Sequence, residues 1–160
     1  MKLKVYTALF ILDQKNNILG LKRSQDSVFE PNKVTGIGGE VEKNELVDIE
    51  HTLRRELEEE THISFSGLKE IKLRGTKHTV NQSNETEHLI YYYTAKVNAK
   101  EVINLYCNEG TLAWFNLNEF GKQDLIHGLD KVYKYIFDFS VNRFSSVYDK
   151  VDDQAVIKIS

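Results

Sequence analysis

Apolar segments alternate with polar turns along the chain, and their spacing predicts a sheet combined with two helices. Residues 3–13 are rich in β-branched and aromatic types and predict a strand, and 18–23 return as a second strand after a polar turn, which predicts a β-hairpin. Apolar side chains recur every four residues over 48–61, with Leu53 and Leu57 on one stripe, which predicts a helix. The remaining predicted elements are strands at 67–80, 88–97 and 112–115, a helix at 129–139 and a hairpin in the tail that turns at Asp152-Asp153.

The order of these elements predicts an α/β or α+β sandwich in which a mixed sheet packs between helices. Residues 24–33 are expected to form a loop, and Asn81 to Glu87 a polar turn. The length of 160 residues fits a single domain over the whole chain, 1–160. Asn44 and Asp48 are both favourable N-cap residues, so the sequence leaves the start of the first helix open between them.

Composition narrows the classes of partner and location. The net charge of -3 gives no reason to expect a surface for nucleic acid, although a small anionic ligand is compatible with an intervening cation. The longest apolar run, Ala8–Leu12, is too short to span a bilayer, and Met1–Lys4 does not resemble a signal peptide. Cys107 is the only cysteine, which fits a reducing compartment and a buried apolar side chain. We therefore expect a cytoplasmic protein without a membrane or nucleic-acid partner.

The first predicted helix carries an unusual acidic segment, RRELEEETH, at residues 54–62. At about 100° per residue, Glu56, Glu59 and Glu60 fall within one arc of about 100°, whereas Glu58 points to the opposite side. Like charges at this spacing repel by roughly 0.2–0.5 kcal/mol per pair. The segment is therefore either a solvated face or a site for a hard cation with oxygen ligands, Mg2+ or Mn2+.

Two neighbouring features favour the cation site. Arg55 lies one turn before Glu59, so it can pair with that carboxylate and hold its conformation. The run Gly36-Ile37-Gly38-Gly39 marks a place where the backbone approaches another group closely, and it could add a backbone carbonyl to the site.

The spacing of these residues resembles the motif of the Nudix family, Gly-x5-Glu-x7-Arg-Glu-apolar-x-Glu-Glu-x-Gly-apolar. The matching positions are Gly39, Glu45, Arg55-Glu56-Leu57, Glu59-Glu60 and Ile63, and the preceding hairpin and Glu109 followed by Trp114-Phe115 also have counterparts in the family.

The chain departs from this motif at three points. Nine residues instead of seven separate Glu45 from Arg55, which leaves the role of Glu45 open. Asn44 and His62 stand where the family usually has glycine; the second of these positions often ends the helix with a positive φ. None of the metal-binding carboxylates is missing.

The resemblance implies a Nudix fold and hydrolysis of a nucleoside diphosphate linked to another group, with Mg2+ or Mn2+ as cofactor. The implied metal ligands are Glu56, Glu59, Glu60, Glu109 and the carbonyl of Gly39. Arg55 would orient a carboxylate. Either Glu56 or Glu109 would be the general base, and members of the family differ on this point.

Within the family, the chain resembles the MutT branch, which includes hydrolases of oxidised nucleotides such as 8-oxo-dGTP. This resemblance rests on Tyr6-Thr7, Leu19–Lys22, Phe29 and Trp114-Phe115. It implies that a small-molecule nucleotide, a nucleoside triphosphate, is cleaved to nucleoside monophosphate and pyrophosphate by a monomer or homodimer. The implied substrate-binding residues are Thr7, Lys22, Phe29 and Thr35.

The residues that read the base in that branch are replaced in this chain. Thr35 stands in place of an asparagine, and Ile126, Gly128 and Leu129 stand in place of a tryptophan and paired aspartates. Two alternatives therefore stay open: a hydrolase of ADP-ribose or another nucleoside diphosphate compound, and a nucleotide-sensing Nudix module without turnover. Asp124, His127 and Asp130 lie nearby in sequence and could contact a different base.

Overall fold

A mixed sheet of eight strands forms the centre of the protein in the computed structural model, which describes residues 2–80, 86–97 and 104–160. The strands are β1 (Lys2–Leu12), β2 (Ile18–Arg23), β3 (Val34–Thr35), β4 (Lys69–Val80), β5 (Thr86–Lys96), β6 (Gly110–Phe115), β7 (Phe144–Asp149) and β8 (Gln154–Ile159). The helices are α1 (Ile49–Glu60), α2 (Leu117–Gly121) and α3 (Leu129–Ile136), and two short 3-10 turns lie at Lys43–Glu45 and Phe65–Gly67.

The strand order is β3-β2-β1-β5-β4-β7-β8, and β6 pairs with β2. The pairs β1–β5 and β4–β7 are parallel, whereas the other strand pairs are antiparallel. Two long central strands, β1 and β5, therefore run side by side in the same direction, and their first residues lie at the same end of the sheet.

The alternation of β1 divides the core into two layers. Ala8 and Phe10 belong to the apolar cluster that contains α3, and Leu9 and Ile11 belong to the cluster that contains α1. The sheet is thus covered by α1 on one face and by α3 on the other. The predicted sandwich of a mixed sheet between helices is confirmed.

Two differences from the predicted elements involve side chains that hydrogen-bond to helix ends. The last helix ends at Ile136, not at residue 139, and the buried Arg74 of β4 satisfies backbone carbonyls at and beyond this end. Its guanidinium donates to the carbonyl of Ile136 at 3.1 Å, of Asp138 at 2.9 Å and of Val141 at 2.8 Å. The short helix α2 was not predicted; it is fixed by reciprocal hydrogen bonds between Asn116 and Glu119.

The other predicted elements agree with the structure to within a few residues. The first helix begins after Asp48, which resolves the choice between the two N-cap residues. The tail hairpin and its turn at Asp152-Asp153 are confirmed, and Cys107 is buried as expected. Most of the predicted turn between Asn81 and Glu87 lies outside the described residues. In the described part of the chain, every helix is too short or too polar to cross a membrane.

Candidate active site

Helix α1 is anchored by its apolar stripe and presents its acidic residues beside the glycine loop. Leu53 and Leu57 are buried against the sheet, and Glu56 is buried next to them. The carboxylate of Glu56 lies so close to Gly39 that a methyl group on Gly39 would overlap it. The glycine therefore allows direct contact between the loop backbone and the acidic helix, as expected from the sequence.

Arg55 is the centre of a charged network that includes the carboxylate whose role the sequence left open. Its Nε and Nη2 donate to the two carboxylate oxygens of Glu45 at 3.0 and 2.9 Å. Its Nη1 donates to Glu56 at 3.0 Å and to Glu59 at 3.3 Å, and its Nη2 also reaches the carbonyl of Glu40 at 3.0 Å. The predicted pairing of Arg55 with Glu59 is present, and the same guanidinium also positions Glu56.

Glu45 is almost fully buried, and its carboxylate is satisfied on all sides. In addition to Arg55, it accepts from Thr52 Oγ1 at 2.9 Å, His51 Nδ1 at 2.7 Å and the backbone N–H of Glu42 at 3.0 Å. Arg55 and these further donors hold the pKa of Glu45 well below its ordinary value of 4.5, although burial opposes this shift. The two-residue insertion lies between Glu45 and Arg55, in the link from the 3-10 turn to α1 or in the first part of α1, and Glu45 still reaches Arg55.

One carboxylate oxygen of Glu60, Oε2, is buried and has no hydrogen-bond partner among the described residues. Burial, contact with Glu56 and the charges of Glu56, Glu109 and Glu59 raise the pKa of Glu60 to about 9. A buried carboxylate oxygen without a donor, facing other carboxylates, fits a divalent cation that prefers oxygen ligands.

Glu109 is brought to this cluster by the segment before β6. Asn108 donates from its backbone N–H to the carbonyl of Glu60 at 2.9 Å and from its side chain to the carbonyl of Glu59 at 3.3 Å. Thr61 and Cys107 form a bridge between the same two segments. These contacts hold the end of α1 against the loop that carries Glu109. The charge of Glu109 is accordingly among the causes that raise the pKa of Glu60.

The helix ends without a glycine because Thr61 satisfies its last turn. Thr61 Oγ1 donates to the carbonyl of Leu57 at 2.6 Å and accepts from the N–H of Ile63 at 3.0 Å. His62 is not among the described residues with positive φ, and its ring stacks on Tyr106 at 4.3 Å. The replacement of the usual glycine by His62 is thus compatible with this local geometry.

The acidic residues do not already form a ready-made metal centre. Within the described residues, no three carboxylate, imidazole or thiol groups are arranged to hold one ion. Glu59 is exposed and turned toward Arg55, and the carbonyl of Gly39 accepts from the N–H of Thr7 at 2.9 Å. A cation would therefore use the second lone pair of that carbonyl and a rotated Glu59 side chain.

A cavity of about 650 Å3 lies on the other side of the glycine loop, on the sheet face that also carries α3. Thr7, Phe29 and Thr35, which the sequence analysis assigned to substrate binding, line this cavity together with Gly38 and Gly39. Its volume is in the range of cavities that hold small ligands.

Two of the assigned substrate residues occupy positions that differ from the expectation. Lys22 is exposed and does not line the cavity, whereas its neighbour Arg23 does, because successive residues of β2 point to opposite faces. Thr7 lies on the β1 face that carries Leu9, so its backbone positions the glycine loop, and its buried Oγ1 has no partner among the described residues.

Sequence analysis missed the residues that close the far wall of the cavity. Glu30 accepts from the backbone N–H of His127 at 2.7 Å, and Lys77 Nζ donates to the carbonyl of His127 at 2.7 Å. Lys77 is 1% exposed, and burial lowers its pKa to about 8. Lys77 could have been noticed as a charged residue within a long predicted strand. Its burial, however, depends on contacts between segments that are distant in sequence.

Comparison with known proteins assigns the chain to a family. The model of the NUDIX domain matches residues 2–136. Because this match covers most of the chain, the protein belongs to the NUDIX family, and by that assignment it is a hydrolase. A comparison with curated protein sequences gave no match.

Solved structures resemble the chain in backbone more than in sequence. A MutT protein from Bacillus halodurans has a TM-score of 0.74 at 19% identity, over 98% of this chain and 97% of that chain. The NUDIX domain of Shewanella oneidensis NrtR, in complex with ADP ribose, has a TM-score of 0.61 at 17% identity, over 84% and 85%. The Ap4A hydrolase of C. elegans has a TM-score of 0.62 at 18% identity, over 83% and 95%. At these identities the likeness establishes the Nudix fold.

Proposed function

We propose that the protein is a Mg2+- or Mn2+-dependent pyrophosphohydrolase of the MutT type, which cleaves a nucleoside triphosphate to nucleoside monophosphate and pyrophosphate. The observation that carries this proposal is the position of Gly38 and Gly39 between the carboxylate cluster and the cavity. A nucleotide in the cavity would place its phosphates across these glycines and in front of Glu56, Glu59 and Glu60.

The carboxylate groups of Glu56, Glu59 and Glu60 would hold the cation, together with the carbonyl of Gly39, and Glu109 would either complete this site or act as the general base. A bound divalent cation neutralises the diphosphate and makes water a stronger nucleophile at neutral pH. Arg55 restrains Glu56 and Glu59, and Glu45 restrains Arg55 in turn. Because Glu56 already accepts from Arg55, Glu109 is the freer group to take the proton from the attacking water.

The cavity supplies the nucleoside contacts. Phe29 is 75% exposed and offers an aromatic face at the rim, where a base can stack. Thr35 adds a hydroxyl, and Arg23 takes the position in the wall that the sequence analysis gave to Lys22. Ile126 and His127 also line the cavity, whereas Asp124 forms an ion pair with Lys33 at 3.2 Å.

Substrate turnover tests this proposal directly. The purified protein is incubated with Mg2+ and the common nucleoside triphosphates, 8-oxo-dGTP, ADP-ribose and a dinucleoside tetraphosphate, and the products are identified by mass spectrometry. We expect a nucleoside monophosphate and pyrophosphate from a triphosphate. Glu59→Gln is expected to lower the rate at least about 100-fold, since it removes one of the charged groups that would hold the cation. Glu58→Gln, on the opposite side of the helix, is the control and is expected to leave the rate unchanged.

Other outcomes of the same experiment identify the alternatives. The NrtR domain was solved with ADP ribose, which makes a nucleoside diphosphate compound the second candidate substrate. Preferential cleavage of ADP-ribose would replace the triphosphate proposal with this one. Tight binding without any turnover would overturn the catalytic proposal and indicate a nucleotide sensor. A cytoplasmic location and a monomeric or dimeric state stay predictions.

Gly39→Ala is expected to lower hydrolysis about 10- to 100-fold with little loss of folded structure, because small displacements of catalytic groups have effects of this size. The added methyl group would push away the Glu56 carboxylate, which Arg55 holds at 3.0 Å. Steady-state kinetics and circular dichroism measure the two effects separately. Gly67→Ala, in the turn after α1, is the control. An unchanged kcat in Gly39→Ala would contradict the assigned role of the glycine.

A further inference from the structure

One end of the cavity is strongly basic, although the chain as a whole is acidic. Lys4 of β1 lies opposite His88 of β5, and His88 lies opposite Thr79 of β4. Lys77 precedes Thr79 by two residues, so alternation places it on the same face of the sheet. The backbone N–H of Lys150, which follows β7, donates to the carbonyl of Val80 at the end of β4. Three strands and a turn thus bring basic side chains to one place.

Basic residues outnumber carboxylates on the wall of this cavity. The basic residues that line the cavity are Lys2, Lys4, Arg23, Lys77 and Lys150, whereas Glu30 is the one acidic residue on its wall in the described part of the chain. Lys2, Lys4 and Lys150 have no ion-pair partner within the described residues. Burial and the charges of Lys150, Lys4 and Lys77 lower the pKa of His88, although the charge of Glu40 opposes this shift.

Lys77 is the member of this group that is hardest to explain by stability. Its side chain is buried, its Nζ donates to the carbonyl of His127 at 2.7 Å and lies 5.1 Å from the centre of the Tyr148 ring. No carboxylate of the described residues pairs with it. Glu30 and Asp130 act on this ammonium through their charge without pairing with it, and one of its three N–H groups donates to His127, so the remaining donors can serve a ligand in the cavity.

Tyr92 gives a second, independent indication of a ligand with acceptor oxygens. Its side chain is 1% exposed and lines the cavity, and its hydroxyl has no hydrogen-bond partner among the described residues. Burial raises the pKa of Tyr92, so the hydroxyl stays protonated and can donate. A buried donor without an acceptor is costly unless a ligand supplies the acceptor.

We propose that this end of the cavity is an anion subsite that binds a phosphate group carried by the nucleoside part of the substrate, away from the diphosphate that is cleaved. The inference rests on the proposed pyrophosphohydrolase activity and changes its expected substrate from a plain nucleoside triphosphate to a nucleotide with an additional phosphate. It favours a nucleotide that carries a further phosphate, either on its own sugar or through a second nucleotide, over one whose only phosphates are the chain at the 5′ position. Lys77, Lys4 and Lys150 are its specificity-determining residues.

Ligand binding in EDTA tests the subsite without requiring catalysis. Isothermal titration calorimetry compares adenosine 3′,5′-bisphosphate, a dinucleoside tetraphosphate and AMP. We expect at least one of the first two to bind about tenfold more tightly than AMP, because charge-assisted hydrogen bonds to phosphate are strong. Preference for the bisphosphate would indicate a phosphate on the sugar, and preference for the tetraphosphate would indicate a second nucleotide.

Variants identify the residues responsible. Lys77→Met and Lys150→Met are each expected to remove most of the difference in affinity between the preferred ligand and AMP. Lys158→Met, on β8 outside the cavity, is expected to keep this difference. Lys77→Met is expected to melt at no lower temperature than the wild type, because it removes a buried charge. Equal binding of all three ligands to the wild type, or a difference that survives in both cavity variants, would overturn the subsite. If the protein binds the bisphosphate or the tetraphosphate more tightly than AMP but hydrolyses no nucleotide, the subsite is supported and the proposed function is refuted.

Discussion

Replacing Glu60 by Gln is expected to lower the rate of hydrolysis about 100- to 1,000-fold and to remove the thermal stabilisation that Mg2+ gives the protein. Electrostatic groups that act directly on developing charge have effects of this size on kcat. Glu60 Oε2 is buried and without a hydrogen-bond partner among the described residues, and it lies among the charges of Glu56, Glu59 and Glu109. Glutamine keeps the shape of the side chain but removes its negative charge. The cation then loses the ligand whose buried oxygen accepts from no donor among the described residues.

Differential scanning fluorimetry with and without Mg2+ provides the measurement that does not depend on turnover. In the wild type, a cation that binds only the folded state raises the melting temperature as its concentration increases. Glu60→Gln is expected to show little of this increase, whereas Glu58→Gln, whose side chain is exposed on the same helix, is expected to keep it. An equal increase in wild type and Glu60→Gln would show that Glu60 is not a ligand.

The elements that local pattern specifies were predicted well from the sequence. The strand at 18–23 follows from the hairpin signal and helix α1 from a four-residue repeat, and the structure has both at almost the same positions. Strand β3 has two residues and exists through its pairing with β2, so no local pattern could identify it. The early end of α3 is bound by Arg74, which is 62 residues away from Ile136 in the chain.

The candidate site shows the same division. The acidic helix, Arg55 and the glycine loop could be predicted because motif spacing fixes their relative positions. The direction of a side chain at a strand edge is harder to predict, and for this reason the sequence pointed to Lys22, whereas its neighbour Arg23 lines the cavity. The buried Lys77 belongs to the cavity through contacts with residues more than 40 positions later, such as the carbonyl of His127 at a separation of 50.

Glu45→Gln is expected to destabilise the protein by about 3 kcal/mol, since breaking a buried charge pair leaves the other charge without its partner. Glu45 is 2% exposed and makes two hydrogen bonds with Arg55, at 3.0 and 2.9 Å. Glu42 provides a matched control, because its exposed carboxylate lies 3.8 Å from the same guanidinium. Glu42→Gln is expected to cost less than about 1 kcal/mol, as exposed ion pairs do. Urea unfolding at pH 7 measures both free energies, and equal losses would contradict the central role of Glu45.

The pH dependence of this difference provides a further check on the same pair. The pKa of Glu45 in the folded protein lies well below its ordinary value of 4.5, with the hydrogen bonds from Arg55 as the largest cause. The carboxylate therefore contributes its full stability above about pH 4.5 and loses it progressively as the pH falls toward the folded-state pKa. Unfolding free energies of wild type and Glu45→Gln are thus expected to converge on acidification below that pH. A constant difference down to pH 3 would indicate that Glu45 stabilises the fold through its shape and hydrogen bonds, and not through its charge.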